Sequence, residues 1–139
     1  MKSYQNYING KWMDSSSKEK IQVEDPATTN IIGEIACANN ADVDLAVEAA
    51  KNSFNSRILV DMPILERARL MRSIATETRK IAKEGGTLLC YENGKQIAAG
   101  IKEFHDVADI FDYYSGLTDK LEGKTIPVAN GVLDYTLLE

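Results

Sequence analysis

Two cysteines, one histidine and a scatter of carboxylates are the side chains here with the chemistry to attack, transfer a proton or bind a metal. Cys37 and Cys90 stand in the apolar stretches EIACA and TLLCY, far apart and with no CxxC, so neither a zinc site nor a disulfide framework has a basis. Free cysteines in such settings are usually buried and inert. His105 is the sole histidine. That rules out an all-histidine metal cage and works against any Ser-His-Asp arrangement. It sits in the middle of a helical stretch beside Phe104 and Asp106, and reads as a partly buried helix-face residue. Glu103 and Asp106 read as carboxylates on a solvated face. Tyr113-Tyr114 has the look of a stacking platform, but at the end of an amphipathic helix it reads as a core anchor.

The phosphate-binding signatures are missing. A P-loop needs GxxxxGKS or GxxxxGKT, and the dinucleotide loop needs GxGxxG after a strand. GxSxG is also absent. The net charge of -5 comes from 16 basic and 21 acidic residues. Nucleic acid is recognised by a basic face that displaces counterions. The densest basic row, Arg67, Arg69, Arg72, Arg79, Lys80 and Lys83, is interleaved with Glu66, Glu77 and Glu84, as on a solvated helix face with local ion pairs. No uncharged apolar run is long enough to span a bilayer. The opening MKSYQNYINGKW lacks the apolar core of a signal peptide. Nucleic-acid and membrane partners are therefore not expected, and a cytoplasmic location is. With 44% hydrophobic and 27% charged residues over 139 positions, the composition is that of a globular chain with a modest core.

The elements that must position these residues can be read from periodicity and turn chemistry. Asn9-Gly10 between short β-prone runs predicts a hairpin with strands at about 4–8 and 11–14. Ile21–Val23 and Ile31–Ala36 flank Asp25-Pro26-Ala27-Thr28-Thr29-Asn30, a second strand–turn–strand unit. Helical stripes follow. The first is capped by Asn40 or Asp42 and carries Val43, Ala46, Val47, Ala50 and Phe54. The second opens at Asp61-Met62-Pro63 and ends at Gly85-Gly86. A short helix over Thr87–Tyr91 stops at Asn93-Gly94. A broad-striped helix then runs from about Ile97 to Leu121, closed by Gly123. The final stretch predicts a hairpin about Asn130-Gly131, with strands at Thr125–Val128 and Val132–Leu138 and with Leu133, Tyr135 and Leu137 on one face.

In this order the pieces resemble the N-terminal part of the aldehyde dehydrogenase superfamily. YINGKW resembles the family's opening hairpin. VEDPATTNIIGEIACANNADVDLAVEAAKNSF is similar to its NPATGEVI block and the DVD-AV-AA helix after it. RARLMRSIATETRKIAKE, YENGKQ, FDYYSGLTDKLEGKTIPV and LDYTLLE are similar to its following helix, its D/E-x-G-K-P motif, its YYAG-to-GKTIPV segment and its YT-REP strand. The details look closest to the branch that includes betaine aldehyde dehydrogenase. Gln96 replaces the usual proline, and Leu138 replaces a common arginine.

The resemblance implies an α/β fold. Residues 1–123 would be β-hairpins and helices of a Rossmann-like cofactor-binding domain, and residues 124–139 the start of the oligomerisation hairpin. It also implies NAD(P)-dependent oxidation of an aldehyde to a carboxylic acid, with NAD or NADP as cofactor and a homo-oligomer, dimer or tetramer, in the complete protein. In the family a thiolate attacks the aldehyde, a backbone-and-amide pocket holds the oxyanion, and hydride passes to nicotinamide. The family's nucleophile, general base, oxyanion-hole asparagine and cofactor loop all lie later in a full-length chain. Neither Cys37 nor Cys90 stands in the nucleophile motif, so no catalytic and no cofactor-binding residue is assigned here.

One site does carry over. Many family members hold a structural K+ or Na+ with backbone oxygens before the NPAT-like turn and the carboxylate of D/E-x-G-K. Those positions are Val23 and Glu24, by their carbonyls, and Glu92, by its side chain. A hard cation takes oxygen ligands, and one carboxylate balances its charge. The plainer alternative is that Glu92 ends a short surface helix while Val23 and Glu24 continue a strand. Two functional readings follow. In one, the chain is part of an oxidoreductase, by truncation or gene splitting, as its end in mid-strand by the family pattern suggests. In the other, it is a non-catalytic module that pairs with full-length subunits through its hairpin.

Overall fold

A computed structural model describes residues 2–137. Three short strands open the chain: β1 (Lys2–Tyr4), β2 (Asn6–Ile8) and β3 (Lys11–Met13). β2 and β3 form the expected hairpin about Asn9-Gly10, whose φ angles of 51° and 76° give the left-handed turn. β4 (Lys20–Glu24) and β5 (Ile31–Ala36) pair antiparallel, as the second strand–turn–strand unit required. β1 then adds parallel to β5, giving a three-stranded sheet of order β1-β5-β4. The register of β4 against β5 slips between Val23 and Glu24.

The first helix, α1 (Asn40–Asn55), is capped by neither residue expected. Asn39 is the N-cap, and Asp42 is its reciprocal partner three residues on. The Asn39 side chain accepts from the Asp42 amide at 3.1 Å, and Asp42 accepts from the Asn39 amide at 3.0 Å. This capping box satisfies two otherwise orphaned donors.

The second helix departs most from expectation. Gly85-Gly86 does not end it, and the separate helix over 87–91 does not exist: α2 is continuous from Ile64 to Asn93. The cause is tertiary. α3 (Ile97–Ser115) returns antiparallel along α2, and the two backbones meet at Gly86 and Gly100. A Cβ on Gly86 would lie 2.4 Å from the Ile101 nitrogen, and one on Gly85 would strike the Phe104 ring at 2.2 Å. The glycines mark a helix crossing rather than a stop. Along the same seam Ala68, Ala75 and Ala82 of α2 and Ala108 of α3 are buried. Alanines spaced by seven keep one face toward the partner helix.

α3 also ends earlier than expected, at Ser115 with Gly116 following, and turns occupy 116–120. The terminal hairpin is reduced to β6 (Thr125–Ile126) and β7 (Asp134–Tyr135). Leu138, placed in its second strand from the sequence, lies outside the described residues. The core is thin: among the described residues no large side chain is fully buried. No helix of the described residues is long and apolar enough to cross a membrane.

Candidate functional site

The three residues expected to face a cation lie on β4 and on the last turn of α2. What brings these elements together is the Asp25–Asn30 turn. Asp25 is buried and its groups are satisfied locally. Oδ1 accepts from the Ala27 amide at 2.9 Å, Oδ2 accepts from the Thr28 hydroxyl at 2.8 Å, and the Asp25 amide donates to the Asn30 carbonyl at 2.9 Å. An aspartate bonding forward in this way builds a stiff turn. The Pro26 ring then packs on the C-terminus of α2, where Gly94 adopts φ 75° and its amide donates to the Cys90 carbonyl at 2.9 Å.

The result is a cleft of about 470 Å³ between the three-stranded sheet and α2, with Tyr4, Val23, Ile35, Leu88, Tyr91 and Glu92 among its lining residues. Val23 and Glu92 are thus brought to one cavity. Glu24 does not line it and is exposed, past the register slip. The donors suit a hard cation in kind: a carboxylate and strand backbone oxygens. In number they make only part of a shell, since hard ions of this type take about six oxygens. Lys2 also lines the cleft, and its ammonium works against a cation. Most of the wall is apolar.

The remaining candidates are dispersed. His105 is exposed on α3, not partly buried as its neighbours suggested. Glu103 and Asp106 lie on an exposed face as expected, and each is also ion-paired, Glu103 with Lys95 and Asp106 with Lys102 at 2.7 Å. Tyr113 and Tyr114 meet edge to face at 5.3 Å but are 66% and 54% exposed, so they do not anchor a core within the described residues. Cys37 and Cys90 are half-buried and free, less enclosed than expected. The basic row does more than decorate a solvated face. Arg67 donates to the Val60 and Met62 carbonyls, Arg72 to Ser115 at 3.2 Å, and Arg79 grips Asp109 and Asp112 at 2.6 and 2.7 Å. Arg72 and Arg79 tie α2 to the end of α3, and Arg67 ties α2 to the loop that precedes it. Among the described residues no three His, Cys, Asp or Glu side chains gather as a metal cluster.

One polar cluster escaped the sequence reading. Asp42 is buried and accepts from the Ser15 hydroxyl at 2.6 Å and the Ser16 amide at 3.1 Å, besides the Asn39 amide. Hydrogen bonds donated by Ser15, first, and by Asn39 and Ser16 hold its carboxyl down to about 2. The cluster fastens the loop after β3 to the start of α1. Its signal was present in the spacing of Asn39 and Asp42.

Comparison with known proteins gives a consistent match. The profile of the aldehyde dehydrogenase family matches residues 12–139. The peroxisomal aminoaldehyde dehydrogenase 1 of Pisum sativum is 35% identical over 125 residues, which are 88% of this chain and 25% of that protein. The crystal structure of an NAD-dependent aldehyde dehydrogenase from Sinorhizobium meliloti superposes with a TM-score of 0.83 at 31% identity, over 91% of this chain and 26% of that one. That of PnpE in complex with nicotinamide adenine dinucleotide gives 0.81 at 34% identity, over 95% and 27%. The chain therefore spans about a quarter of the length of these relatives.

Proposed function

The chain belongs to the aldehyde dehydrogenase family, and from that premise we propose that it is the N-terminal segment of an enzyme that oxidises an aldehyde to a carboxylic acid with NAD or NADP. The observation that carries this is the extent of the family match, which spans residues 12–139. The NAD of the PnpE complex supports NAD as the cofactor class. In this reading the complete enzyme is cytoplasmic and homo-oligomeric. Residues 1–123 belong to the cofactor-binding domain and 124–139 begin the oligomerisation hairpin.

In this reading the 139-residue chain contributes scaffold. Its cysteines lack the nucleophile motif, and its one histidine is exposed. From the resemblance we also propose that the Val23 carbonyl and the Glu92 carboxylate, which share the cleft, take part in holding a structural K+ or Na+, whereas Glu24, expected beside them, lies outside that cleft. Bound there, the cation would neutralise Glu92 and tie β4 to α2. The competing reading, an interaction module pairing with complete subunits, draws on the large exposed apolar surface.

The test is an assay of the purified chain with an aldehyde panel and NAD+ or NADP+, followed by absorbance of the reduced nicotinamide. No turnover is expected. Turnover that disappears on alkylation of Cys37 or Cys90 would overturn the scaffold reading. Co-purification with complete subunits at fixed stoichiometry would favour the module.

A further inference from the structure

We propose that Asn130 is a self-modifying residue: the Gly131 main-chain nitrogen attacks its side-chain amide, and water then leaves aspartate or isoaspartate in its place. The inference is independent of the cleft and of the reaction proposed above. Asparagine followed by glycine occurs three times, at Asn9-Gly10, Asn93-Gly94 and Asn130-Gly131. Glycine favours this chemistry, because with no Cβ its nitrogen is open to approach. As dipeptides the three are alike, and the fold separates them.

The step balances with water as the only co-reactant. The Gly131 nitrogen, having lost its proton, bonds to Asn130 Cγ. The Cγ–Nδ2 bond breaks, and ammonia leaves with that proton. The product is a five-membered succinimide ring, which water opens at either carbonyl. Opening at the side-chain carbonyl leaves aspartate. Opening at the main-chain carbonyl leaves isoaspartate, whose main chain runs through Cβ and is longer by a methylene. Either product adds a negative charge to the turn. The ring closes only where the nitrogen is free of hydrogen bonds and the asparagine can turn about its Cα–C bond.

At Asn93 neither condition holds. It is the last residue of α2, the Gly94 amide donates to the Cys90 carbonyl at 2.9 Å, and Asn93 Oδ1 accepts from the Lys95 amide at 3.0 Å. Asn9 is held by its strands. Ile8 pairs with Lys11 across the turn, Tyr7 pairs with Trp12 behind it, and the two rings are 4.8 Å apart. Turning Asn9 means opening that end of the hairpin. At Asn130 both conditions hold. The turn is exposed, and the Gly131 amide donates to no group among the described residues. A Cβ on Gly131 would meet nothing within 4 Å. The turn is closed by the Val132 amide, which donates to the Ala129 carbonyl at 3.2 Å. The nearest strand pair, Ile126 with Asp134, stands four residues away on either side of Asn130. A loop tip held this loosely opens at little cost.

The experiment keeps the complete protein that carries this segment native in mildly alkaline buffer, which favours the deprotonated nitrogen, and samples it over days. Digestion in acid halts the reaction. Peptide mapping by mass then reads conversion at each asparagine, with isoaspartate separated from aspartate by retention time. Asn130 should convert first, and Asn93 at least about fivefold more slowly, the factor that one net hydrogen bond represents. Asn9 should fall between them. In denaturant the three rates should converge, since the fold alone sets them apart. Conversion of Asn9 or Asn93 as fast as Asn130 in the native protein would overturn the proposal. Rates that stay in the same order in denaturant would trace that order to sequence neighbours and overturn the structural account. Gly131→Ala should slow conversion at Asn130 and leave Asn9 unchanged, whereas an undiminished rate, or aspartate formed without isoaspartate, would overturn attack by the Gly131 nitrogen. Should Gly131→Ala not fold, the order of the three sites in the native parent and the isoaspartate at Asn130 decide alone.

Discussion

The backbones of Gly86 and Gly100 touch where α2 and α3 cross: a β-carbon on Gly100 would lie 2.5 Å from the Gly86 carbonyl oxygen. A glycine inside a helix costs about 0.5–1 kcal/mol relative to alanine, so its presence needs a reason. Here the reason is contact, since the facing atoms are main chain and cannot rotate aside. Gly100→Val is expected to force the helices apart and destabilise the chain by about 1–3 kcal/mol or more. Chemical denaturation of parent and variant measures this, and a variant within error of the parent would mean that the crossing relaxes freely.

The start of α1 depends on Asn39, whose side chain accepts from the Asp42 amide and donates to the Ser16 hydroxyl at 2.7 Å. Asn39→Ala removes the cap and should cost about 1 kcal/mol. Asn39→Ser, which keeps an acceptor, should recover most of it. Helicity by circular dichroism and the unfolding midpoint together separate a frayed α1 from a general loss of structure.

Asp42 makes stability depend on acid. Its carboxyl titrates lower in the fold than in the unfolded chain, at about 2 against 3.8. A depressed value means that the ionised form is the one stabilised. The contribution is therefore fully present above pH 3.8 and is lost as the pH falls from there through about 2. Asp42→Asn should be less stable than the parent at neutral pH, and the difference should shrink across that acid window. A difference that stays constant with pH would show that the Ser15, Ser16 and Asn39 hydrogen bonds do not favour the charged form.

Much of this architecture is written in local chemistry. The Asn9-Gly10 turn, the Asp25-Pro26 turn and the strands beside them follow from residues within a few positions of one another, and the fold contains them. The errors fall where distant segments decide. Gly85-Gly86 has the appearance of a helix terminus until α3 is laid across it, and no pattern within α2 reports that crossing. Tyr113 and Tyr114 show apolar rings at helical spacing, and spacing does not say what will cover them. At the cleft, only the resemblance singled out Val23 and Glu92; their meeting at one cavity joins β4 to the end of α2, nearly seventy residues apart in sequence. The Asn39–Asp42 box was legible in its spacing; its tie to Ser15 was not, because that partner lies 27 residues away.

The surface carries the last prediction. The chain exposes 10874 Å² at a mass of 15.4 kDa. A compact monomer of that mass exposes about 7,200 Å². The excess, roughly 3,700 Å², is several times the ~800 Å² that each partner buries in a stable interface. Much of it is apolar. Phe54 on α1 is 80% exposed, and Leu133 and Leu137 in the last hairpin are 74% and 75% exposed. That hairpin holds only two paired residues per strand, so its outer backbone edges are open, and an open edge beside leucines is a template for pairing. The isolated 139-residue chain is therefore expected to self-associate at high concentration and to bind a dye that reports apolar surface. Leu133→Lys with Leu137→Lys should weaken the association through the hairpin while leaving helicity unchanged, because both residues are about three-quarters exposed and lie outside the helices. Sedimentation velocity across a concentration series is the measurement. A monomer at every concentration, with no dye bound, would mean that the helices and the hairpin close on one another in solution and that the open surface is not retained.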